Sequence, residues 1–449
     1  MTTLPLLRGN NVSLDDALAD DDNILHRLDY PRKQKDFWSH LISLKAEIEI
    51  RYNVCIPICI NPPSENHVLV RIPLPYKIGE EIKPGNVDEK LRCEAATYIW
   101  IRQNCPNVPI PSLHGFAFPD GQTFVEPACV SLFSRLRWRI NWVVRSWLGF
   151  PTSCPYVGLQ RLGALRTGSM IIGYIKSGRM LSDSWGLHLQ DTIRRKTLFN
   201  DLANIILSLN RTQLPRIGSL TVSNDGIISL TNRPLTLRLQ TFENEGIPTI
   251  PYNSTYQSPN AIHDVKDGQE RLAALTMMRG LLHQFISRQY RHGPFVLTLT
   301  DLHPSNIFVD EDWHITSLID LEWACAFPVE LQAPPYWLTG RPIDDIERGE
   351  DLETFEKVVI EFMEALDEQE KVSQRSNVSH AQIVRSCWDR GSFCPKGLLR
   401  VFNEHIQSRF SEEHCTQSIF DRTVTDSLIE KKLKEEESYK DGLRKRFNL

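Results

Sequence analysis

The fold is decided by residues 295–323, which read FVLTLTDLHPSNIFVDEDWHITSLIDLEW. The apolar run Phe295–Leu299 has the composition and length of a β-strand. Two more extended runs follow, Ile307–Val309 and His314–Ile319, and the polar residues 310–313 between them predict a hairpin turn. This stretch therefore predicts three short strands, set in a part of the chain that is otherwise helical in pattern.

Three polar side chains are expected to meet at the open end of this hairpin. If its strands pair antiparallel, Asn306 before the first and Asp320 after the second emerge together, and Asp301 enters from the preceding strand. Phosphoryl transfer from ATP needs such a set, because one carboxylate orients the attacking hydroxyl while a second carboxylate and an amide oxygen hold Mg²⁺. The D-L-x-x-x-N spacing from Asp301 to Asn306 is that of a kinase catalytic loop. Polar hairpin ends in an unrelated α+β protein are the alternative interpretation.

The same residues resemble a known family. D-L-H-P-S-N-I-F-V-D followed by I-D-L-E-W is similar to the motifs of the aminoglycoside phosphotransferase family, in a divergent form common in fungal proteins. The resemblance extends over about residues 50–350. It implies an α+β, two-lobed, protein-kinase-like fold with a small antiparallel-sheet N-lobe and a large, mainly helical C-lobe. It also implies that Asp301 is the catalytic base and that Asn306 and Asp320 are the metal ligands.

Further positions resemble the nucleotide site of the family. Arg71 stands where a strand residue grips the α- and β-phosphates of ATP, and Glu94 where a helix glutamate orients it. A guanidinium can serve both phosphate and carboxylate through its fork of donors. The hinge between the lobes would meet the adenine around Tyr174 and Ile175. An exposed arginine, an exposed glutamate and an ordinary buried strand are the simpler interpretations of these residues.

Three features depart from the family pattern. Leu299 stands where the family has a histidine, two residues before Asp301, and Arg71 replaces the phosphate-binding lysine. The hairpin between Ile60 and Val68 contains no glycine, so it lacks the usual backbone cradle for phosphates. These departures favour the alternative of a catalytically weak or dead pseudokinase that acts as a nucleotide-binding or interaction module.

Hydrophobic periodicity predicts the remaining elements and a division of the chain into four parts. The parts are a flexible acidic arm (1–30), an N-lobe (31–172), a hinge (173–180) and a helical C-lobe (181–449) that carries the catalytic hairpin 295–322. The predicted strands are Val54–Ile60, Val68–Ile72, Ser112–Phe118 and Met170–Ile175. The predicted helices are Pro31–Ile50, Asp88–Asn104, Asp183–Leu209, Gly268–Tyr290, Asp351–Glu370, His380–Arg390, Gly397–Arg409 and Thr425–Arg446.

Composition narrows the class of partners. The 449 residues are 41% hydrophobic and carry a net charge of -5, which gives no general electrostatic reason to bind nucleic acid. No apolar run is long enough to span a bilayer, and no targeting pattern begins the chain. The ten cysteines form no C-x-x-C pair, so we expect buried thiols in a reducing, cytoplasmic setting. The expected partner is a small molecule with a hydroxyl group, whose identity the sequence leaves open.

Residues 132–150 form a basic amphipathic insertion near the end of the N-lobe. At helical spacing one face collects apolar side chains, namely Leu132, Leu136, Ile140, Val143 and Trp147. Such a helix could lie on a membrane surface, which leaves open a third interpretation, a membrane-associated kinase that acts on a lipid-like alcohol. The favoured expectation is that the insertion packs on its own lobe.

Overall fold

The computed structural model describes residues 3–6, 10–19, 24–40, 48–50, 52–61, 66–151, 153–160, 168–247, 249–258, 287–332, 334–341, 350–373, 379–389, 434 and 436–447. The strands are β1 (Thr3–Pro5), β2 (Asn11–Ser13), β3 (Ile48–Ile50), β4 (Asn53–Asn61), β5 (Asn66–Pro73), β6 (Leu113–Ala117), β7 (Gln122–Val125), β8 (Val157–Gln160), β9 (Ser169–Gly173), β10 (Arg179–Met180), β11 (Ser219–Val222), β12 (Ile228–Asn232), β13 (Phe295–Leu299), β14 (Ile307–Val309), β15 (Ile315–Leu318) and β16 (Ala324–Pro328). The α-helices are α1 (Leu14–Ala19), α2 (Ile24–Arg27), α3 (Tyr30–His40), α4 (Asn86–Asn104), α5 (Leu132–Trp147), α6 (Ser182–His188), α7 (Thr192–Asn210), α8 (Leu237–Asn244), α9 (Glu350–Ser373) and α10 (His380–Asp389).

Seven strands form one antiparallel sheet in the order β3-β4-β5-β9-β6-β7-β8. Strand β5 pairs with β4 on one side and with β9 on the other, so Arg71 lies well inside the sheet, opposite Cys55 and Met170. Helix α4 packs on this sheet, and its apolar side chains share a core with Phe116 and Ile172. The first part of the chain is therefore rich in sheet, as expected for an α+β protein.

Helix α4 is buried on nearly all sides. It begins after Gly85, whose φ of 103° suits glycine, and Glu89 in its first turn is favourable for the helix dipole. The seven-stranded sheet contacts one side of the helix, while β11 and the turn 321–323 contact others. Because the helix is enclosed, its charged residues Glu89, Lys90 and Glu94 are buried and need partners within the protein.

One such partner is Arg233, which fastens helix α8 to helix α4. The Arg233 guanidinium is fully buried, and its Nη2 donates to Glu89 Oε2 at 2.6 Å and to Glu243 Oε2 at 2.9 Å. Burial lowers the pKa of Arg233, but the two glutamates more than reverse this and raise it above its usual value. This network holds the N-terminal half of α4 in place. Lys90 and Glu94 on the same helix belong to a second group of charged residues.

The later part of the chain combines a hairpin, a two-stranded ladder and packed helices. Strand β14 pairs antiparallel with β15 and carries β10 on its other edge, while β13 pairs with β16. The hairpin turn is fixed by Asp310, whose Oδ1 accepts from the backbone N–H groups of Asp312 (3.0 Å) and His314 (2.9 Å). Trp313 in the same turn is fully buried, and its Nε1 donates to Ser184 Oγ at 3.1 Å. The turn is thus anchored in the core.

Most predicted elements are confirmed, with small shifts at their ends. The confirmed strands are the four predicted ones in the sheet (now β4, β5, β6 and β9) and the three of the stretch 295–323 (β13, β14 and β15); the confirmed helices are α4, α9 and α10. The predicted helix Gly268–Tyr290 lies outside the described residues, except for 287–290, which are not helical. Gly397–Arg409 also lies outside them. Of Thr425–Arg446, the described residues 434 and 436–446 are helical.

Two predicted helices were wrong in extent. The prediction Pro31–Ile50 ends too late, because α3 ends at His40 and Ile48–Ile50 is strand β3. The prediction Asp183–Leu209 is split into α6 and α7, because the Asp191 side chain accepts from two backbone N–H groups and caps the start of α7. Asp191 therefore begins a new helix within a stretch whose apolar spacing predicted one continuous helix.

The acidic arm differs from the expectation of a loose segment. Residues 3–5 and 11–13 pair as β1 and β2, and short helices follow. Ile24 packs with Leu443 and Phe447 of the C-terminal helical segment, and its N–H donates to the Tyr439 hydroxyl at 3.0 Å. The two ends of the chain thus share a small apolar core.

Among the described residues, we find no helix with both the length and the apolar character needed to cross a bilayer.

Candidate active site

The site lies where two antiparallel ladders end together. In the hairpin, Ile307 lies opposite Leu318, and the Ile319 N–H donates to the carbonyl of Asn306 at 3.0 Å. In the second ladder, β13 ends where β16 begins, so the residues that follow β13 and precede β16 are neighbours. Asp301 follows β13 by two residues, Asp320 precedes the turn that leads into β16, and both line one small pocket. The backbone thus brings these residues into one region, and their roles stay a prediction.

The Asn306 side chain is hydrogen-bonded to Asp301. Its amide nitrogen donates to the Asp301 carbonyl at 2.9 Å and to the Asp301 Oδ2 at 3.3 Å. The short 3-10 turn Pro304–Asn306 positions this amide, and His303 stabilises the turn by accepting from the Ser305 N–H at 3.4 Å. His303 therefore supports the loop through its contacts with Ser305. The Asn306 side chain is largely buried, which fixes its direction.

Asp320 has an unusual backbone conformation. Its φ and ψ are both 57°, in the left-handed region, which aspartate visits more readily than most residues. This conformation turns the chain sharply between β15 and the 3-10 turn Leu321–Trp323. Backbone strain of this kind tends to concentrate at functional sites, where the surrounding structure holds it in place.

Arg71 connects strand β5 to this turn. Its guanidinium forms an ion pair with Asp320, and its Nη2 donates to Glu322 Oε2 at 2.5 Å. Its Nε lies 3.4 Å from Glu94 Oε1, too poorly aligned for a hydrogen bond. Arg71 is 3% exposed and Glu94 1% exposed, so the simpler interpretation of two exposed surface charges is wrong.

Sequence reasoning missed a second cation in this cluster. Lys90 is fully buried, and its Nζ donates to Glu322 Oε2 at 2.6 Å and to Asn53 Oδ1 at 2.7 Å. Asn53 also donates to Glu322 Oε2, at 3.1 Å. The available signal was positional, because Lys90 precedes Glu94 by one helical turn and Glu322 follows Asp320 by two residues.

Burial and charge shift the two glutamates in opposite directions. Burial raises the pKa of Glu94 to about 7, and Arg71 does not compensate because two nearer carboxylates share its guanidinium. Burial also acts to raise the pKa of Glu322, but Lys90 and Arg71 outweigh it and hold that pKa at about 2. Burial lowers the pKa of Arg71, yet the surrounding carboxylates raise it well above its usual value. Of these two glutamates, Glu94 is therefore the one whose pKa is raised toward neutral pH.

The predicted hinge lies in the segment that links the seven-stranded sheet to the hairpin. Tyr174 is 47% exposed, and its ring centroid is 5.8 Å from that of His67 on β5. Ile175 is partly buried in the same extended segment. Gly178 has a φ of 86°, and a Cβ there would lie 2.8 Å from Thr316 Oγ1, so the segment passes close to the hairpin. An adenine contact at Tyr174 and Ile175 stays a prediction.

The donor atoms suit a Mg²⁺ ion carried on phosphates. Asn306 uses its amide nitrogen toward Asp301, which leaves its Oδ1 as an acceptor, and Asp320 supplies a carboxylate at the pocket. Within the described ranges, no group of three or more histidine, cysteine, aspartate or glutamate side chains is arranged to hold a metal alone. Mg²⁺ commonly takes one or two protein carboxylates plus substrate phosphates and water, so this donor set fits.

Comparison with known proteins does not identify a family for this chain. No family model matches the sequence, and no curated protein matches it. Among solved structures, a macrolide 2′-phosphotransferase type I is 8% identical, covering 84% of this chain and 92% of that chain, with a TM-score of 0.33. A likeness at this level assigns neither an activity nor a substrate to the chain.

Proposed function

We propose that this protein is an ATP- and Mg²⁺-dependent phosphotransferase that moves the γ-phosphoryl group of ATP to a hydroxyl group of a small molecule. The observation that carries the proposal is the position of Asp301 and Asp320 on one pocket at the common end of two ladders, with Asn306 bonded to Asp301. This arrangement supplies one carboxylate for the acceptor and a carboxylate and an amide for the metal.

In this proposal Asp301 is the catalytic base. It holds the acceptor hydroxyl and takes its proton while the oxygen attacks the γ-phosphorus and the bond to the β–γ bridging oxygen breaks, releasing ADP. Asn306 holds Asp301 in place through its amide nitrogen. The chemistry that bound Mg²⁺ supplies is charge neutralisation on the phosphates, with Asn306 and Asp320 as its protein ligands.

Arg71 is proposed to bind the α- and β-phosphates, with Glu94 orienting it. Its guanidinium has five donors, so it can exchange one carboxylate for phosphate oxygens and keep the others. Nη1 and Nη2 are the groups paired with Asp320 and Glu322, while Nε faces Glu94 Oε1 at 3.4 Å. Tyr174 and Ile175 are proposed to contact the adenine through backbone groups.

A nucleotide-binding or interaction module without catalysis is the second candidate. The observation that favours it is that Arg71 is already occupied by carboxylates and almost fully buried, which hinders access by phosphate. Leu299, in place of a supporting histidine before Asp301, points the same way.

The test combines ATP binding with ATP turnover. Thermal shift with ATP, with and without Mg²⁺, reports binding, and ADP release with candidate alcohols or water as acceptor reports transfer. Asp301→Ala should keep the Mg²⁺-dependent thermal shift and lose turnover by roughly 100-fold or more. Asp312→Asn, an exposed aspartate at the far end of the same hairpin, is the matched control and should behave as wild type.

The outcomes separate the two candidates. Binding of ATP by wild type without turnover in any acceptor screen supports the module. Absence of any ATP- and Mg²⁺-dependent thermal shift contradicts the phosphotransferase and a nucleotide-binding module, and leaves only a module that interacts with another partner.

A further inference from the structure

Helix α5 carries its apolar face toward solvent. Successive helical residues are about 100° apart, so an arc of about 120° collects seven apolar side chains. These are Leu132, Phe133, Leu136, Ile140, Val143, Val144 and Trp147. All seven are exposed, and Leu132, Phe133 and Trp147 retain 78%, 76% and 85% of their surface. The insertion was expected to pack on its own lobe, but its apolar face does not do so.

The opposite, more polar face is the one that contacts the protein. Arg135 Nε donates to the Pro127 carbonyl at 2.8 Å, and Arg145 Nε donates to the Pro151 carbonyl at 3.1 Å. Trp138, on the same side, is partly buried. The hydrogen bonds to the segments that flank the helix and the partly buried Trp138 thus lie on the side opposite the apolar arc, which faces solvent. An amphipathic helix in this orientation leaves bare the surface that a soluble protein normally covers.

The charge of the insertion indicates which kind of partner covers the apolar face of α5. Residues 132–150 contain four arginines and no acidic residue, whereas the whole chain has a net charge of -5. Arg137 and Arg139 flank the two edges of the apolar arc, and both are exposed. Apolar side chains bordered by arginines, with a tryptophan at one end, match the interface of a bilayer that contains anionic lipids.

We propose that helix α5 is an interfacial membrane anchor that inserts its apolar face among the headgroups of an anionic bilayer. A second copy of the chain is disfavoured as occupant, because pairing two such helices brings like charges together. A single-stranded nucleic acid is disfavoured because the exposed face is mainly aliphatic, whereas stacking on bases needs aromatic rings. The helix follows β7 and precedes β8, the edge strand of the sheet, and β5, which carries Arg71, is four strands away from β8 in the sheet order.

The test is co-sedimentation of the full chain with phosphatidylcholine vesicles, with and without phosphatidylserine. Wild type should bind the phosphatidylserine vesicles more strongly, and added salt should weaken that binding. Arg137→Ser with Arg139→Ser should weaken it by roughly tenfold or more, since each arginine near an anionic surface contributes about fivefold. Leu136→Ser with Ile140→Ser and Trp147→Ser should remove it.

A matched control tests whether the loss of any two exposed apolar side chains would weaken vesicle binding. Leu187 and Val372 are 80% and 79% exposed on other helices, so Leu187→Ser with Val372→Ser should bind as wild type. Circular dichroism confirms folding, which these exposed substitutions should preserve. Wild type that stays in the supernatant with phosphatidylserine vesicles refutes the proposal. So does a dimer in sedimentation equilibrium that the apolar variant abolishes, because the face would then belong to a second copy.

Discussion

The buried carboxyl of Glu94 makes the stability of this protein depend on pH in an unusual direction. Its pKa is raised from 4.5 to about 7, chiefly by burial. A carboxyl that binds its proton more tightly in the folded state makes unfolding easier as pH rises between those two values. The folded state therefore loses stability from about pH 4.5 to about pH 7 through this group, and the loss is complete above pH 7.

The size of the effect follows from the same shift. At about 1.4 kcal/mol for each pH unit, moving the pKa from 4.5 to about 7 corresponds to about 3 kcal/mol. Glu94 is fully buried, so solvent screens little of this energy. Glutamine keeps the size of the side chain and cannot ionise. Glu94→Gln should therefore gain about 2–3 kcal/mol relative to wild type between about pH 5 and pH 7.5.

Urea unfolding of both proteins at several pH values in this range measures the difference. Comparison with the variant is essential, because burial lowers the pKa values of His26 and His380, which adds stability as pH rises. Glu322 does not interfere, since its pKa is held at about 2. Glu353→Gln, an exposed position on α9, is the control. Unfolding free energies that run parallel for wild type and Glu94→Gln across this range would refute the reasoning.

Three further substitutions test the rest of the structure. Lys90→Met should destabilise the protein by about 3–5 kcal/mol in urea unfolding, because it leaves buried Glu322 with one cation fewer; a loss below about 1 kcal/mol would contradict the burial of this pair. Trp313→Ala should cost about 3–5 kcal/mol in the same assay, since the fully buried ring anchors the hairpin turn. Asp320→Ala should abolish the Mg²⁺-dependent part of the ATP thermal shift, and an unchanged shift would remove Asp320 from the metal site.

The hairpin and its polar end were predictable from the sequence because their signals are local. Three extended runs, a polar turn and the residues Asn306 and Asp320 lie within a short stretch, and antiparallel pairing then fixes which side chains meet. The presence of the sheet strands and of helix α4 was predictable for the same reason, although their ends were not. Element identity follows from periodicity, which local sequence carries.

The charge cluster was only partly predictable, because its pairs are far apart in sequence. Resemblance singled out Arg71, Glu94 and Asp320. Lys90 and Glu322 are 232 positions apart, and the only signal for their ion pair is that each lies near one of those residues in sequence. A lysine on a helix is ordinarily exposed, and Lys90 is buried because α4 is enclosed on nearly all sides. The rotation of α5 was unpredictable for a related reason. Its pattern gives the apolar face, whereas the side of the helix that contacts the protein depends on residues outside the helix, among them Pro127 and Pro151.

The choice between an enzyme and a binding module depends on how the charged cluster around Arg71 accommodates the negative charge of a phosphate. Arg71 and Lys90 supply two positive charges to three carboxylates, so the cluster is balanced when Glu94 holds a proton. A phosphate that draws Arg71 away removes the cation nearest Glu94, and the buried carboxyl then responds by keeping its proton. The raised pKa of Glu94 thus keeps that carboxyl from becoming an unpaired buried charge when Arg71 shifts, while Lys90 stays paired with Glu322. A guanidinium held in this way can shift toward a phosphate, and this favours a site that binds phosphate over one that is permanently closed.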